Sequence, residues 1–410
     1  MTMLALARRA LSRRSGSRWA SASTRPTATP AECFVWGKGG DGALGLGDRK
    51  DCLLPEIVEF EGHDEDVCAF AAGESHSCVL DANRHLWAFG KADYGRLGTP
   101  QQSSGIVGMP TPVQVPLEGN DSVVGIDCGN YHTAAVSEQG RVYTWGWGGR
   151  WLTGCGGLGH GDLKSAESPK RVEALDGQRV VQVACGKYHT LARTDDGKVY
   201  AWGRGEYGRL GLNSNRDRTS PQLIEAIPGP VKLIATGSAS SAAITESGRL
   251  YMWGKNDTGQ LGLGGSSNLD MFALEGIPTL VEALKDETIA DVSCSDRHTL
   301  ACTTDGRVFI WGDRQWMLPY ELKSAELGND PVVQVAAGHN FSVILTAVGN
   351  VFTWGSGRTV CLGHGDRETL REPTLVGAFE GREVVSIAAG HHHVGALVKP
   401  NEGNDDSSAQ

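Results

Sequence analysis

Residues 179–203 run RVVQVACGKYHTLARTDDGKVYAWG. Val181, Val183 and Cys185 alternate with other residues, which is the period of a strand. The turn GKYH follows, then HTLART, then Asp196-Gly197, a dipeptide that signals a two-residue hairpin. KVYAWG comes next, with Val199, Ala201 and Gly203 on one face and Tyr200 and Trp202 on the other. After a loop, PQLI at 221–224 supplies a fourth short strand. Three tightly linked antiparallel strands and a fourth make one blade of a propeller.

The unit repeats along the chain. G-x-x-H turns stand at 73–76 (GESH), 129–132 (GNYH) and 186–189 (GKYH). Degraded copies follow at 237–240 (GSAS), 295–298 (SDRH), 338–341 (GHNF) and 390–393 (GHHH). An aromatic residue followed by glycine also occurs seven times, at Trp36, Phe89, Trp145, Trp202, Trp253, Trp311 and Trp354. Two markers that agree on seven, at periods near 50 residues, predict a seven-bladed all-β propeller. No stretch keeps a helical period, so a helical solenoid is excluded. CFVWG at 33–37 has no hairpin partner before it, and GHHHVGALV at 390–398 has no Trp-Gly strand after it. Blade seven is therefore expected to combine both ends of residues 32–398, which removes an open sheet edge.

Composition agrees. Glycine makes up 56 of 410 residues, about twice the usual ~7%, as many tight turns require. The formal charge is −10, and residues 1–31 carry six Arg and no acid, leaving −16 on residues 32–410. Such a body repels phosphate backbones, so direct non-specific nucleic-acid binding is not expected. The Arg-, Ser- and Ala-rich, acid-free segment 1–31 reads as a mitochondrial transit peptide, with the matrix as destination. Residues 399–410 read as a disordered polar tail. No apolar run reaches the ~20 residues of a membrane span. The ten Cys form no C-x-x-C pair. Cys128, Cys185 and Cys294 occupy one repeat position, where other copies carry Ala or Thr, and read as small buried filler in a reducing compartment.

The combined unit, V-x-x-V-A-C-G-x-x-H-T, then D-G-x-V-Y-x-W-G, then Y-G-R-L-G-L, resembles the repeats of the regulator of chromosome condensation family. The resemblance runs from about Glu32 to Val398. It implies a seven-bladed propeller. It also implies a range of roles, from nucleotide exchange on the small GTPase Ran to ubiquitin-ligase modules, an ultraviolet photoreceptor and mitochondrial assembly proteins. Fold alone does not choose among these. The photoreceptor carries Trp in G-W-R-H-T turns, whereas the equivalent turns here read GNYHT and GKYHT. The expectation is a mitochondrial scaffold that holds a protein or ribonucleoprotein partner and assists assembly or maintenance of a respiratory, translational or RNA-processing complex. The alternative is a guanine-nucleotide exchange factor for a small or dynamin-like GTPase.

No residues suggest chemistry in a pocket. G-x-G-x-x-G occurs at 37–42 and 203–208, but both run into Leu-Gly turns, not the helix that a dinucleotide fingerprint needs. No cofactor is expected. His76, His132, His189, His298 and His393 end their turns and are expected to bond the backbone there. Consecutive residues in the run His391-His392-His393 alternate faces, so no metal is expected. Trp36, Trp145, Trp202, Trp253, Trp311 and Trp354 are expected to pack between blades.

The repeats break in three places, one of them the long loop 264–280. Trp to Leu-Gly spans eight residues in regular copies, such as Trp202 to Leu210, but thirteen from Trp145 to Leu158. The insertion carries Trp147, Arg150 and Trp151, residue types that anchor interfaces. After Trp311, DRQWMLPY at 313–320 replaces the usual turn and supplies Arg314 and Trp316. These five residues are the partner-binding candidates.

Overall fold

The computed structural model describes residues 31–60, 66–150, 154–264 and 274–400. The transit-peptide reading of 1–31, apart from Ala31, and the tail beyond residue 400 lie outside the described residues, as do Trp151 and residues 265–273. The rest of the stretch expected as a loop at 264–280 is mainly strand, since Leu274–Leu280 is the outer strand of blade four.

Seven four-stranded antiparallel sheets follow one another around a central channel. Blade three shows the pattern. Val180–Cys185 lies innermost and pairs with His189–Thr194, which pairs with Val199–Gly203, and Arg218–Leu223 is outermost. The hairpin at Asp196-Gly197 is one residue longer than the sequence suggested. Thr194 N–H bonds the Lys198 carbonyl at 3.0 Å, enclosing residues 195–197. Gly197 takes φ +81°, the left-handed position of a three-residue hairpin with a bulge.

Blade seven joins the two ends of the propeller. Val384–Ala389 and His393–Val398 come from the end, Glu32–Gly37 and Cys52–Ile57 from the start. The joining register sets Cys33 against Leu397 and Trp36 against Val394.

The blades stack face to face, so both faces of the inner strands are buried. Trp202 is fully buried among Ala134, Val136 and Val142 of blade two and Val180, Val183 and Ala192 of its own blade. Its Nε1–H donates to the Gly157 carbonyl of blade two at 2.8 Å. Trp253, Trp311 and Trp36 reach the same carbonyl of their preceding blades, at Arg209, Gln260 and Cys361. That carbonyl precedes each Leu-Gly, and the Leu-Gly glycine must lack a side chain. A Cβ on Gly159 would meet Trp202 Nε1 at 2.7 Å. One motif element of a blade is thus the socket for another element of the next.

The ten cysteines are buried and free. Cys128, Cys185 and Cys294 line the central channel with Ala72, Thr236, Ala337 and Ala389, so the position is channel wall as well as filler.

Candidate functional site

The G-x-x-H turns and the Trp-Gly strand ends emerge on one face, and the Asp-Gly hairpins emerge on the other. On the turn face the repeat builds three concentric rings. The second turn residue of each blade surrounds the channel mouth: Glu74, Asn130, Lys187, Ser238, Asp296, His339 and His391. The third turn residue lies outside it. The residue after each aromatic-Gly lies outside that, and in all seven blades its N–H bonds the carbonyl of the third turn residue, as Trp147 bonds Tyr131 at 2.9 Å and Arg204 bonds Tyr188 at 2.9 Å.

The five turn histidines join blades and do not bond their own turns' backbone through the ring Nε2. His76, His132, His189, His298 and His393 place Nε2 2.8–3.0 Å from hydroxyls of the following blade, Thr133, Thr190, Ser241, Ser342 and Ser77. The expected backbone role is corrected here. The Thr133, Thr190, Ser241 and Ser77 hydroxyls spend their one proton on the carbonyl before Leu-Gly. Each must therefore accept from the imidazole, which fixes the Nε2–H tautomer. Burial makes the charged form costly and pushes His132 and His298 down to about 4 and His393 to about 3. The turn glycine is needed because the ring fills its Cβ space, 2.8 Å from His76 Cε1 at Gly73. Where Ser295 replaces that glycine, its Oγ lies 2.9 Å from His298 Nδ1.

One half of the face is aromatic and basic. Tyr131 and Tyr188 stack at 5.2 Å, with Trp147 5.4 Å from Tyr188 and Tyr94 6.2 Å from Tyr131. Arg96 lies 5.2 Å from the Tyr131 ring, Arg204 5.4 Å from Tyr188, and Arg209 and Lys255 flank Tyr207. Tyr94 and Tyr207 hold φ of +65° and +63°. That conformation costs an L-residue roughly 1–2 kcal/mol, and strain of this kind concentrates at sites of function. Lys91, Arg204 and Lys255 each sit beside a carboxylate, Asp93, Glu206 and Asp257. The arc therefore offers rings and paired charges, not a track of bare cations.

The insertion at 147–157 is a small ribbon in which Gly149–Arg150 pairs with Gly154–Cys155. Asp217 of the next blade braces it by accepting from Cys155 N–H at 2.7 Å and Gly205 N–H at 2.9 Å. Arg150, paired with Gly154, is exposed. Trp147 is only 8% exposed and forms the floor of the aromatic arc, so it supports the surface and does not project from it.

Arg314 and Trp316 belong to a different feature. Asp313 and Arg314 take φ of +52° and +60° and form a tight turn closed by Gln315 N–H to the Gly312 carbonyl. This joins Val308–Gly312 directly to Trp316–Glu321 and omits the Leu-Gly loop. Trp316 is half-buried, stacks on Tyr320 at 5.2 Å and packs on the cluster that holds Trp354. It fills the place of the missing loop. Arg314 is exposed.

The central channel encloses about 140 Å³, well under the ~300–1,000 Å³ of small-molecule pockets. The features of interest lie on the face. Sequence reading missed the aromatic arc because Tyr131 and Tyr188 looked like ordinary turn residues, 57 positions apart.

The regulator of chromosome condensation (RCC1) repeat model matches residues 31–80, 85–136, 139–193, 196–244, 247–302 and 348–397. The chain belongs to the RCC1-repeat family. The gap after residue 302 contains the tight turn and outer two strands of the blade whose Leu-Gly loop is absent. The chain is 31% identical over 348 residues to the ultraviolet-B receptor UVR8 of Arabidopsis thaliana, covering 82% of this chain and 75% of that one. It is 30% identical over 415 residues to the mitochondrial RCC1 domain-containing protein RUG3 of the same plant, covering 90% and 88%. The crystal structure of Prp20p from Saccharomyces cerevisiae, whose binding to Gsp1p and histones is described with it, superposes with a TM-score of 0.81. That match is 24% identical over 95% of this chain and 97% of the yeast chain, and it bears on fold alone.

Proposed function

We propose that this RCC1-type propeller is a mitochondrial docking scaffold that holds a protein, or the protein part of a ribonucleoprotein, on its turn face. It would thereby assist assembly or maintenance of a respiratory, translational or RNA-processing complex. The observation that carries the reading is the arc of Tyr94, Tyr131, Tyr188 and Tyr207 interleaved with Arg96, Arg204 and Arg209 over the buried Trp147. Tyr, Trp and Arg are the residue types that dominate binding energy at interfaces. Rigid blades hold them in place, so little side-chain entropy is lost on docking. The carboxylate beside three of the cations and the −16 body favour a protein over a phosphate backbone.

The mitochondrial part rests on the basic, acid-free segment 1–31 and on the similarity to RUG3, a mitochondrial protein matched over most of both chains. The test is affinity purification from mitochondria with the wild type and with Tyr188→Ala/Arg204→Glu. Partners lost with the variant, at unchanged melting temperature, support the reading. Equal recovery rejects it. If the lost partner is a GTPase and the wild type speeds release of its labelled guanine nucleotide, the activity is exchange and not passive docking.

A further inference from the structure

The other half of the turn face holds a second constellation. In blades five, six and seven the second turn residue is Asp296, His339 and His391. Ring closure brings these three together at the channel mouth although 43 and 52 residues separate them in sequence. One ligand atom from each lies within 4.8 Å of the other two. Asp296 Oδ2 is 3.0 Å from His339 Nδ1, and the His339 and His391 rings lie 4.1 Å apart at 18°. The backbone beneath is fixed. Ser295, Gly338 and Gly390 each donate their N–H to the carbonyl three residues on, at 2.9 Å, and His339 N–H reaches the His391 carbonyl at 3.4 Å.

We propose that Asp296, His339 and His391 form a three-ligand site for a divalent transition-metal ion, best matched to zinc, with its fourth position open to the channel mouth. Two imidazoles and a carboxylate are a donor set that borderline-soft ions prefer and that calcium and magnesium do not. Bonds of about 2.0–2.2 Å in a tetrahedral site set ligand atoms roughly 3.3–3.6 Å apart. The stacked His339 and His391 rings must turn out of their parallel arrangement so that both nitrogen lone pairs meet one ion. A further imidazole lies beside the set: His392 is 4.6 Å from His391, and its Nδ1 is buried without a hydrogen-bond partner.

The location suggests what the ion does. Blades five and six meet where the Leu-Gly loop is replaced by the tight turn at Asp313-Arg314, and blade seven is the blade that closes the ring. An ion shared by three consecutive blades would tie blade five to blade six, where the Leu-Gly socket is absent, and blade six to the closing blade. Lys187 and Lys38 oppose cation binding through their charge on His391, and Glu74 offsets Lys187 in part. Removing Lys187 should therefore tighten binding.

The experiment is calorimetric titration of zinc chloride into tag-free, chelator-treated full-length protein, with cobalt(II) as a spectroscopic probe. One equivalent should bind, cobalt should give the intense visible bands of a four-coordinate N/O site, and the melting temperature should rise with zinc concentration. His339→Gln/His391→Gln should weaken zinc by at least about 100-fold, beyond the effect of changing a supporting residue, and Lys187→Ala should tighten it. If the double variant misfolds, Asp296→Asn decides instead and should weaken zinc at least tenfold. The proposal is overturned if no stoichiometric zinc binds, or if the folded ligand variant binds as the wild type does. Neither result touches the aromatic arc.

Discussion

Replacing His132 by Phe should make the propeller less sensitive to acid. His132 is fully buried, donates from Nε2 to Thr190 at 2.8 Å, and is held down to about 4 by burial, with the Arg96 charge adding to it. In the unfolded chain the ring titrates near ~6.5. Between these values the unfolded state binds a proton that the folded state refuses, so stability falls as pH drops through the window. The slope is about 1.4 kcal/mol per pH unit for one histidine, and about 3 kcal/mol is lost by pH 4. His76, His189, His298 and His393 are depressed in the same direction, each chiefly by burial. Asp127, held up to about 7 by burial, and Glu74, also raised by burial, oppose them. Phe is the natural choice because Phe341 fills the equivalent place in blade six and is 1% exposed. The variant loses one hydrogen bond, costing about 1 kcal/mol at pH 7. At pH 5 the wild type has lost about 2 kcal/mol through this group, so the variant should be the more stable by about 1 kcal/mol. Urea unfolding of both proteins at pH 7, 6 and 5, followed by tryptophan fluorescence, reads the crossing. A stability difference that does not change with pH would refute the neutral-histidine collar.

Trp202→Ala removes a fully buried ring and its bond to Gly157, and should cost ~3–5 kcal/mol in urea unfolding; a loss under 1 kcal/mol would deny it an inter-blade role. Deleting residues 32–37 strips a strand from blade seven and exposes the Cys52–Ile57 and His393–Val398 edges. Aggregation or a broadened melt is expected on size-exclusion and calorimetry, whereas an unchanged monomer would contradict closure by both ends. Residues 1–31 fused to a fluorescent protein should enter mitochondria and fail to do so when the six Arg become Glu; diffuse signal from the unmodified fusion would remove the localisation.

The blade count was legible because a repeat writes its local hydrogen bonding into sequence every time. Asp-Gly marked the hairpins, and Trp-Gly marked the strand ends. What crosses from one blade to the next was harder to read. The His of G-x-x-H-T and the Thr after it sit side by side in sequence, yet they bond in opposite directions around the ring: His132 to Thr190, and Thr133 to His76. A search for His in one copy and Ser or Thr in the next would have found the collar. Convergence of Asp296, His339 and His391 was invisible for a related reason. The repeat motif marks the fourth turn position, whose side chains run between blades, while the second position faces the common axis. Trp147 misled differently. An inserted Trp can stand out from a surface or floor it, and the ring contacts that decide the matter lie in the turns carrying Tyr131 and Tyr188.

Site-specific photocrosslinking puts the scaffold reading to its most direct test. A photoreactive residue in place of Arg150, exposed on the ribbon beside the aromatic arc, is compared with one in place of Asp196, exposed on an Asp-Gly hairpin of the opposite face. Both proteins are expressed at native level and irradiated in intact mitochondria. A discrete adduct from position 150 is predicted, absent from position 196 and lost when Tyr188→Ala/Arg204→Glu is added. An adduct from position 196 alone, or one at 150 that survives the added substitutions, would contradict docking on the turn face.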